Sequence, residues 1–278
     1  MGNNSWVVEN LNNALATWNG KLQEIWQLLL TSPEAFRGGS IWGIIVNIHD
    51  ALKATGFALL VLFFVMGVVK TTTNFSELRR PEHAVRLFIR FAIAKAVVTY
   101  GMDLMLAVFR IAQGVVSSIA GSLGSASGML AALPAEVEAA IAQASFWESI
   151  PLWIVTLLGS LLITILSFII IMTMYGRYFS LYMYAAIAPI PLAAFAGEST
   201  AQIGVQFLKS YAGVCLQGTI IVLACVIFTA FAAAPPAVTG SGVVQMVWNY
   251  IAELVFNLLV LVGAVKLSER LCKEMMGL

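Results

Sequence analysis

Charge is scarce in this sequence. Only 10% of its 278 residues are Asp, Glu, Lys or Arg, whereas 60% are hydrophobic, and the mean hydropathy is +0.90. A soluble domain cannot cover its surface with so few charges. The net charge is +1, so bulk charge names no nucleic-acid or acidic partner. Histidine is limited to the isolated His49 and His83. There is no GxxxxGK[ST] loop, no His-Glu-x-x-His and no Gly-x-Ser-x-Gly. Their absence excludes the commonest nucleotide-binding, metalloprotease and serine-hydrolase arrangements. No catalytic residue, metal or cofactor is assigned, and any energised process must draw on a partner or a gradient. The three cysteines are Cys215, Cys225 and Cys272. The first two lie ~15 Å apart along one predicted helix, too far to bridge, and all three are read as packing residues. The first 40 residues lack a basic n-region followed by an apolar h-region, so no cleavable signal peptide is expected.

What is present is a series of long apolar runs. The expected fold is all-α: a polytopic membrane helix bundle. It has about five transmembrane helices, a Pro-broken re-entrant segment and an N-terminal amphipathic helix. That first helix is read over residues 5–30, where Val7, Leu11, Leu15, Trp18, Leu22, Ile25 and Leu29 recur at three- and four-residue steps. It lies on the membrane surface, with Trp6, Trp18 and Trp26 at headgroup level, or it makes a subunit contact; both readings are open. Residues 1–40 are accordingly read as an interfacial or oligomerisation region, and 41–278 as the transmembrane domain. Spans are expected at about 41–69, 88–112, 150–175, 211–231 and 243–265, with a re-entrant segment at 178–197. The second lies in a long helix from about Pro81 to Ala120, where Arg90 and Arg110, ~30 Å apart, mark the two membrane faces.

The segment Tyr175–Gly197 decides the topology. Arg177 is its lone cation, and Pro189 and Pro191 lack the backbone N–H that a continuous helix needs. Broken backbone at membrane depth survives only inside protein or against a water-filled cavity. The connection Lys70–Arg90 carries Lys70, Arg79, Arg80, Arg86 and Arg90, and is assigned to the cytoplasm by the positive-inside rule. If 178–197 spans, the basic C-terminus lands outside. If it enters and returns, Arg177, Lys209, Lys266, Arg270 and Lys273 all lie inside, and the loops without basic residues lie outside. The second layout obeys the rule at every loop. It puts the N-terminus outside and the C-terminus in the cytoplasm.

Two groups of polar residues fall within the expected spans. Lys95 and Asp103 are ~12 Å apart on one helix. They pair with polar groups on neighbouring helices or line an aqueous path, since charges at such depth face a bundle interior. Gln245, Asn249, Glu253 and Asn257 recur every four residues and form one stripe on the last span. That stripe faces a neighbouring helix, a sister subunit or a lumen. Lys95 and Arg110 are candidate counter-ions for Glu253.

The chain resembles the polytopic inner-membrane subunit of type IV secretion systems, the conjugal transfer proteins of the TrbL type. The resemblance rests on the basic loop with Arg79 and Arg80, the small-residue outer loop, and Arg177-Tyr178-Phe179 followed by Ala188-Pro189-Ile190-Pro191-Leu192-Ala193. It covers most of residues 40–270. It implies a subunit of an envelope-spanning channel, embedded in the inner membrane and its lipids as a homo-oligomer. Other secretion-system membrane subunits and ATPases would be its partners, and DNA or protein its transient cargo. A secondary transporter or ion channel is the alternative, weakened by the absence of an internal repeat; a purely structural scaffold of the same machine is another. Charge placement predicts that single cysteines at positions 79 and 273 are labelled only from the cytoplasmic side. Labelling of position 273 by an impermeant reagent from outside would sink that layout.

Overall fold

A computed structural model describes residues 5–72, 81–123, 131–231 and 242–278. Arg79, Arg80 and the uncharged 232–241 part of the last loop lie outside the described residues. Within them every regular element is helical: α1 (Ser5–Leu30), α2 (Ser40–Thr72), α3 (Pro81–Thr99), α4 (Gly101–Leu123), α5 (Ala135–Ala142), α6 (Phe146–Ile187), α7 (Pro189–Ala193), α8 (Ala201–Phe231) and α9 (Val243–Met276). Short 3-10 turns cover Phe36–Gly39 and Ala194–Ala196. Five helices among these residues are long and apolar enough to cross a membrane: Phe36–Lys70, Gly101–Gly121, Trp147–Ile187, Ala201–Phe231 and Val243–Met276. The fold is therefore the expected all-α, multi-pass membrane type. The second span departs from its expected bounds. Its long helix is interrupted at Tyr100, and the apolar window begins at Gly101, after Lys95. The hydrogen-bond ladder still runs through the interruption, from Tyr100 N to Ala96 O (2.9 Å) and from Leu104 N to Tyr100 O (3.0 Å).

The chain forms two compact units. The first gathers α1, Val116–Gly176 and Ile220–Ser268. In it the apolar stripe of α1 is fully covered: Val7, Leu11, Trp18 and Ile25 are 0% exposed. The sequence left that stripe to lipid or a sister subunit. The structure supplies a third occupant, the chain's own helices. Polar residues of α1 fix its register. The Asn19 side-chain amide donates to Ala131 O (2.8 Å) and accepts from Ala131 N (2.9 Å). The Tyr175 hydroxyl of α6 donates to Glu24 (2.8 Å), which also pairs with Lys21 (2.7 Å). Tyr250 of α9 donates to Ala132 O (3.1 Å), so the Ala131–Ala132 segment is held from two helices.

The second unit gathers Thr31–Val115, Arg177–Thr219 and Glu269–Leu278. Its contacts trace the stretch that was expected to re-enter. Residues 178–187 are not a separate element but the last part of α6. The break falls at Ala188, and Pro189 opens α7 in the first turn, where its missing N–H has no ladder partner to lose. The chain then keeps its direction along α2. Tyr182 donates to Pro33 O (3.0 Å), His49 bonds to Ala185 O (2.7 Å), Gly56 meets Pro189, and Gly197 meets Phe63. Later residues thus meet later positions of α2, the pattern of a parallel course and not of a hairpin.

This broken stretch is sealed in protein: Ala188, Leu192, Ala193, Ala194 and Ala196 are all buried. The carbonyls released at its end find donors. The Thr200 hydroxyl bonds to Ala194 O (2.8 Å), and Gly197 N bonds to the same oxygen (3.3 Å). Such satisfaction is what apolar surroundings demand of irregular backbone. The seal depends on Gly56, where an added Cβ would lie 2.8 Å from Pro189 O. Gly56→Val is expected to cost about 1–3 kcal/mol through overpacking, read as a lower thermal midpoint in detergent. At Gly43 nothing lies within 4 Å of an added Cβ, so Gly43→Ala serves as the tolerated control. Equal stability of the two variants would make the Gly56 approach incidental.

Candidate functional site

The face of α3 and α4 that packs inward is continuous across Tyr100: Ala94, Val98, Gly101, Met105, Phe109 and Ala112 are buried. Lys95 and Asp103 lie off that stripe and are exposed. Neither has an ion-pair partner among the described residues. The depth of Lys95 follows from its neighbours. Phe91 packs on Phe64 of α2 (ring centroids 4.8 Å apart), and Gly101 sits against His49 of α2. Lys95, between Phe91 and Gly101, lies alongside the apolar part of α2. Arg90 and Arg110, the expected markers of the membrane faces, each meet an acid: Arg90 with Glu198 at 3.7 Å and Arg110 with Glu34 at 3.6 Å. Both pairs are partly exposed and contribute little stability by themselves.

The polar stripe of α9 belongs to the other unit. The helix buries Val247, Tyr250, Ile251, Leu254, Leu258 and Leu261. Gln245 and Glu253 are exposed, and Asn249 and Asn257 are half-buried. Gln245 and Glu253 thus lie on the outward side of the helix, with Asn249 and Asn257 at its edge.

The inward polar groups are ones that periodicity did not single out. Arg177 is 3% exposed. Its Nε donates to Val214 O and its Nη2 to Cys215 O, both at 3.3 Å, and its guanidinium carbon lies 5.8 Å from the Phe109 ring centre. Its Nη1 has no hydrogen-bond partner among the described residues. His49 is fully buried; the bond to Ala185 O requires the proton on Nδ1, and Nε2 has no partner among those residues. The tyrosines around Arg177 grip the connector before α2. Tyr178 donates to Thr31 O (2.8 Å) and stacks on Phe36 at 4.3 Å, while Tyr182 donates to Pro33 O. The signal for Arg177 was already in the sequence, a lone cation inside a long apolar helix. Nothing marked His49 as interior, because Asp50 and Lys53 beside it read as a juxtamembrane turn. Among the described residues no group of His, Cys, Asp and Glu is arranged to hold a metal ion. Apart from the unpartnered atoms, these side chains join helices to backbone.

Long apolar helices, a sealed Pro-broken segment and outward polar positions define a multi-pass membrane protein. The chain belongs to the TrbL/VirB6 plasmid conjugal transfer like protein family, whose model matches residues 18–189. No curated protein and no solved structure matches it. It is thus a membrane subunit of the type IV secretion, conjugal transfer class, a structural class and not a known enzyme family, with other components of that apparatus as partners. The matched stretch runs from within α1 to Pro189. It includes His49, Lys95, Asp103 and Arg177, and ends before Pro191, α8 and α9.

Proposed function

We propose that this chain is a channel or channel-scaffold subunit of a conjugative type IV secretion apparatus, working as a homo-oligomer in the inner membrane while partner ATPases supply the energy. DNA or protein is the cargo. The observation that carries this reading is the length of the apolar exterior of α6. Ile150, Ile154, Leu158, Leu161, Ile165, Phe168, Met172, Phe179, Met183 and Ile187 are all exposed along one face. From first to last they span ~55 Å of helix. A hydrocarbon core is ~30 Å thick, and even a steep tilt of ~40° leaves ~42 Å projected on the membrane normal. Lipid from one bilayer core leaves part of that face uncovered, and packing against other subunits covers it.

The outward charges support the same reading. A carboxylate or ammonium in contact with hydrocarbon costs at least ~2.5 kcal/mol at the membrane centre. Lys95, Asp103, Gln245, Asn249, Glu253 and Asn257 are thereby proposed to face a lumen or a subunit interface. The proposed topology takes residues 146–197 as one pass, a reading that the single helix Phe146–Ile187 supports. Five passes from an outside N-terminus bring Lys266, Arg270 and Lys273 to the cytoplasm, as the positive-inside rule asks. Residues 1–40 remain a candidate assembly region through the polar face of α1.

The test is made on α9. Glu253→Leu should insert normally yet lower transfer efficiency by about tenfold or more, the scale of a 1.4 kcal/mol loss, and weaken the oligomer on native gels. Glu253→Gln should do less, because it keeps the hydrogen bonding. Unchanged oligomer and transfer in Glu253→Leu would remove the lumen reading.

A further inference from the structure

At the start of α7, Pro189 costs that helix nothing; the cost falls on the end of α6. A helix leaves its last four carbonyls without donors of its own. Ala185 is among the last four residues of α6. In a continuing helix its oxygen would accept from the residue four positions on, which is Pro189 and has no N–H. Ala185 is 1% exposed, so solvent does not replace the lost donor. A buried carbonyl left unsatisfied is strongly unfavourable. The donor comes from α2. The Nδ1–H of His49, a fully buried ring, donates to Ala185 O over 2.7 Å. The same ring packs on α4, where an added Cβ at Gly101 would lie 3.4 Å from its Cε1. Further along α2, Gly56 meets Pro189 itself. One helix thus covers the proline and supplies the hydrogen bond that the proline withholds.

We propose that the bond from His49 to Ala185 is a latch that holds the break between α6 and α7 closed against α2, with the imidazole standing in for the N–H that Pro189 lacks. A local N–H would tie α6 only to the residues just after it. The imidazole ties α6 to α2, so the break stays shut only while the two helices stay together. Loss of the latch frees the stretch after Ala188 to open locally, where Leu192 N bonds to Ala188 O and Gly197 N to Ala194 O.

The test is a double-mutant cycle on the full chain in lipid nanodiscs. His49→Leu removes the donor and should lower the unfolding midpoint by roughly 3–6 °C. It should also speed amide exchange across residues 188–197 by roughly tenfold. His49→Asn keeps an N–H donor at the level of Nδ1 and should lie closer to wild type than His49→Leu, although leucine fills the apolar site better. Pro189→Ala restores the local N–H, and in that background His49→Leu should lose at least roughly half of its effect. If His49→Leu does not fold alone, its recovery by Pro189→Ala supports the latch, and failure to recover overturns it. A midpoint for His49→Leu equal to or above that of His49→Asn means packing alone and overturns the proposal. So does a His49→Leu effect of the same size with proline or alanine at position 189.

Discussion

Backbone meets backbone where Gly56 of α2 faces the carbonyl of Pro189, and the rest of the second unit depends on that approach. A polypeptide cannot leave a helix inside an apolar environment unless its freed groups are satisfied and its surface is covered. α2 provides the cover, with a residue lacking Cβ where the break lies closest. Thr200 and Gly197 satisfy the carbonyls at the far end. With the break sealed, the end of α6 from Arg177, α7 and the following 3-10 turn run in one direction beside α2. α8 then returns, bringing Val214 and Cys215 to Arg177 and Tyr211 to the Met105 carbonyl.

The elements with strong periodicity were legible in the sequence. Every residue named for the α1 stripe is buried, because a three- and four-residue spacing leaves a helix one apolar face to cover. What covers it was not legible, since periodicity gives a face and not its neighbour. The long spans were legible for a similar reason, whereas the course of the chain past Ile187, where α6 ends and α7 begins at Pro189, was not. A proline reports a missing donor, whereas the course of the chain is set by distant partners such as Gly56, Phe63 and His49. The helix that holds the expected 150–175 span continues to Ile187, and the Tyr175 hydroxyl reaches Glu24 of α1.

Polar residues divide into two sets that sequence spacing alone does not separate. Arg177, His49, Tyr178 and Tyr182 point inward and join helices to main-chain groups. Lys95, Asp103, Gln245 and Glu253 lie exposed on helices that are otherwise largely apolar. In a soluble protein an outward charge is ordinary. In a multi-pass chain of the TrbL/VirB6 family the exterior faces lipid, lumen or another subunit, and only the last two accommodate charge cheaply. The same physics that hides the inward set makes the outward set informative about assembly.

The parallel course of the end of α6, α7 and the following turn along α2 is open to direct measurement by paired cysteines in a cysteine-free background. Gly67 sits against Gly197 and Glu198, whereas Glu34 lies in the connector gripped by Tyr178 and Tyr182. Gly67→Cys with Glu198→Cys should form an intramolecular disulfide under mild oxidation, seen as protection from a maleimide-polyethylene glycol label. Glu34→Cys with Glu198→Cys should stay reactive. Cross-linking of the second pair and not the first would mean that the chain turns back after Arg177, and would contradict the account.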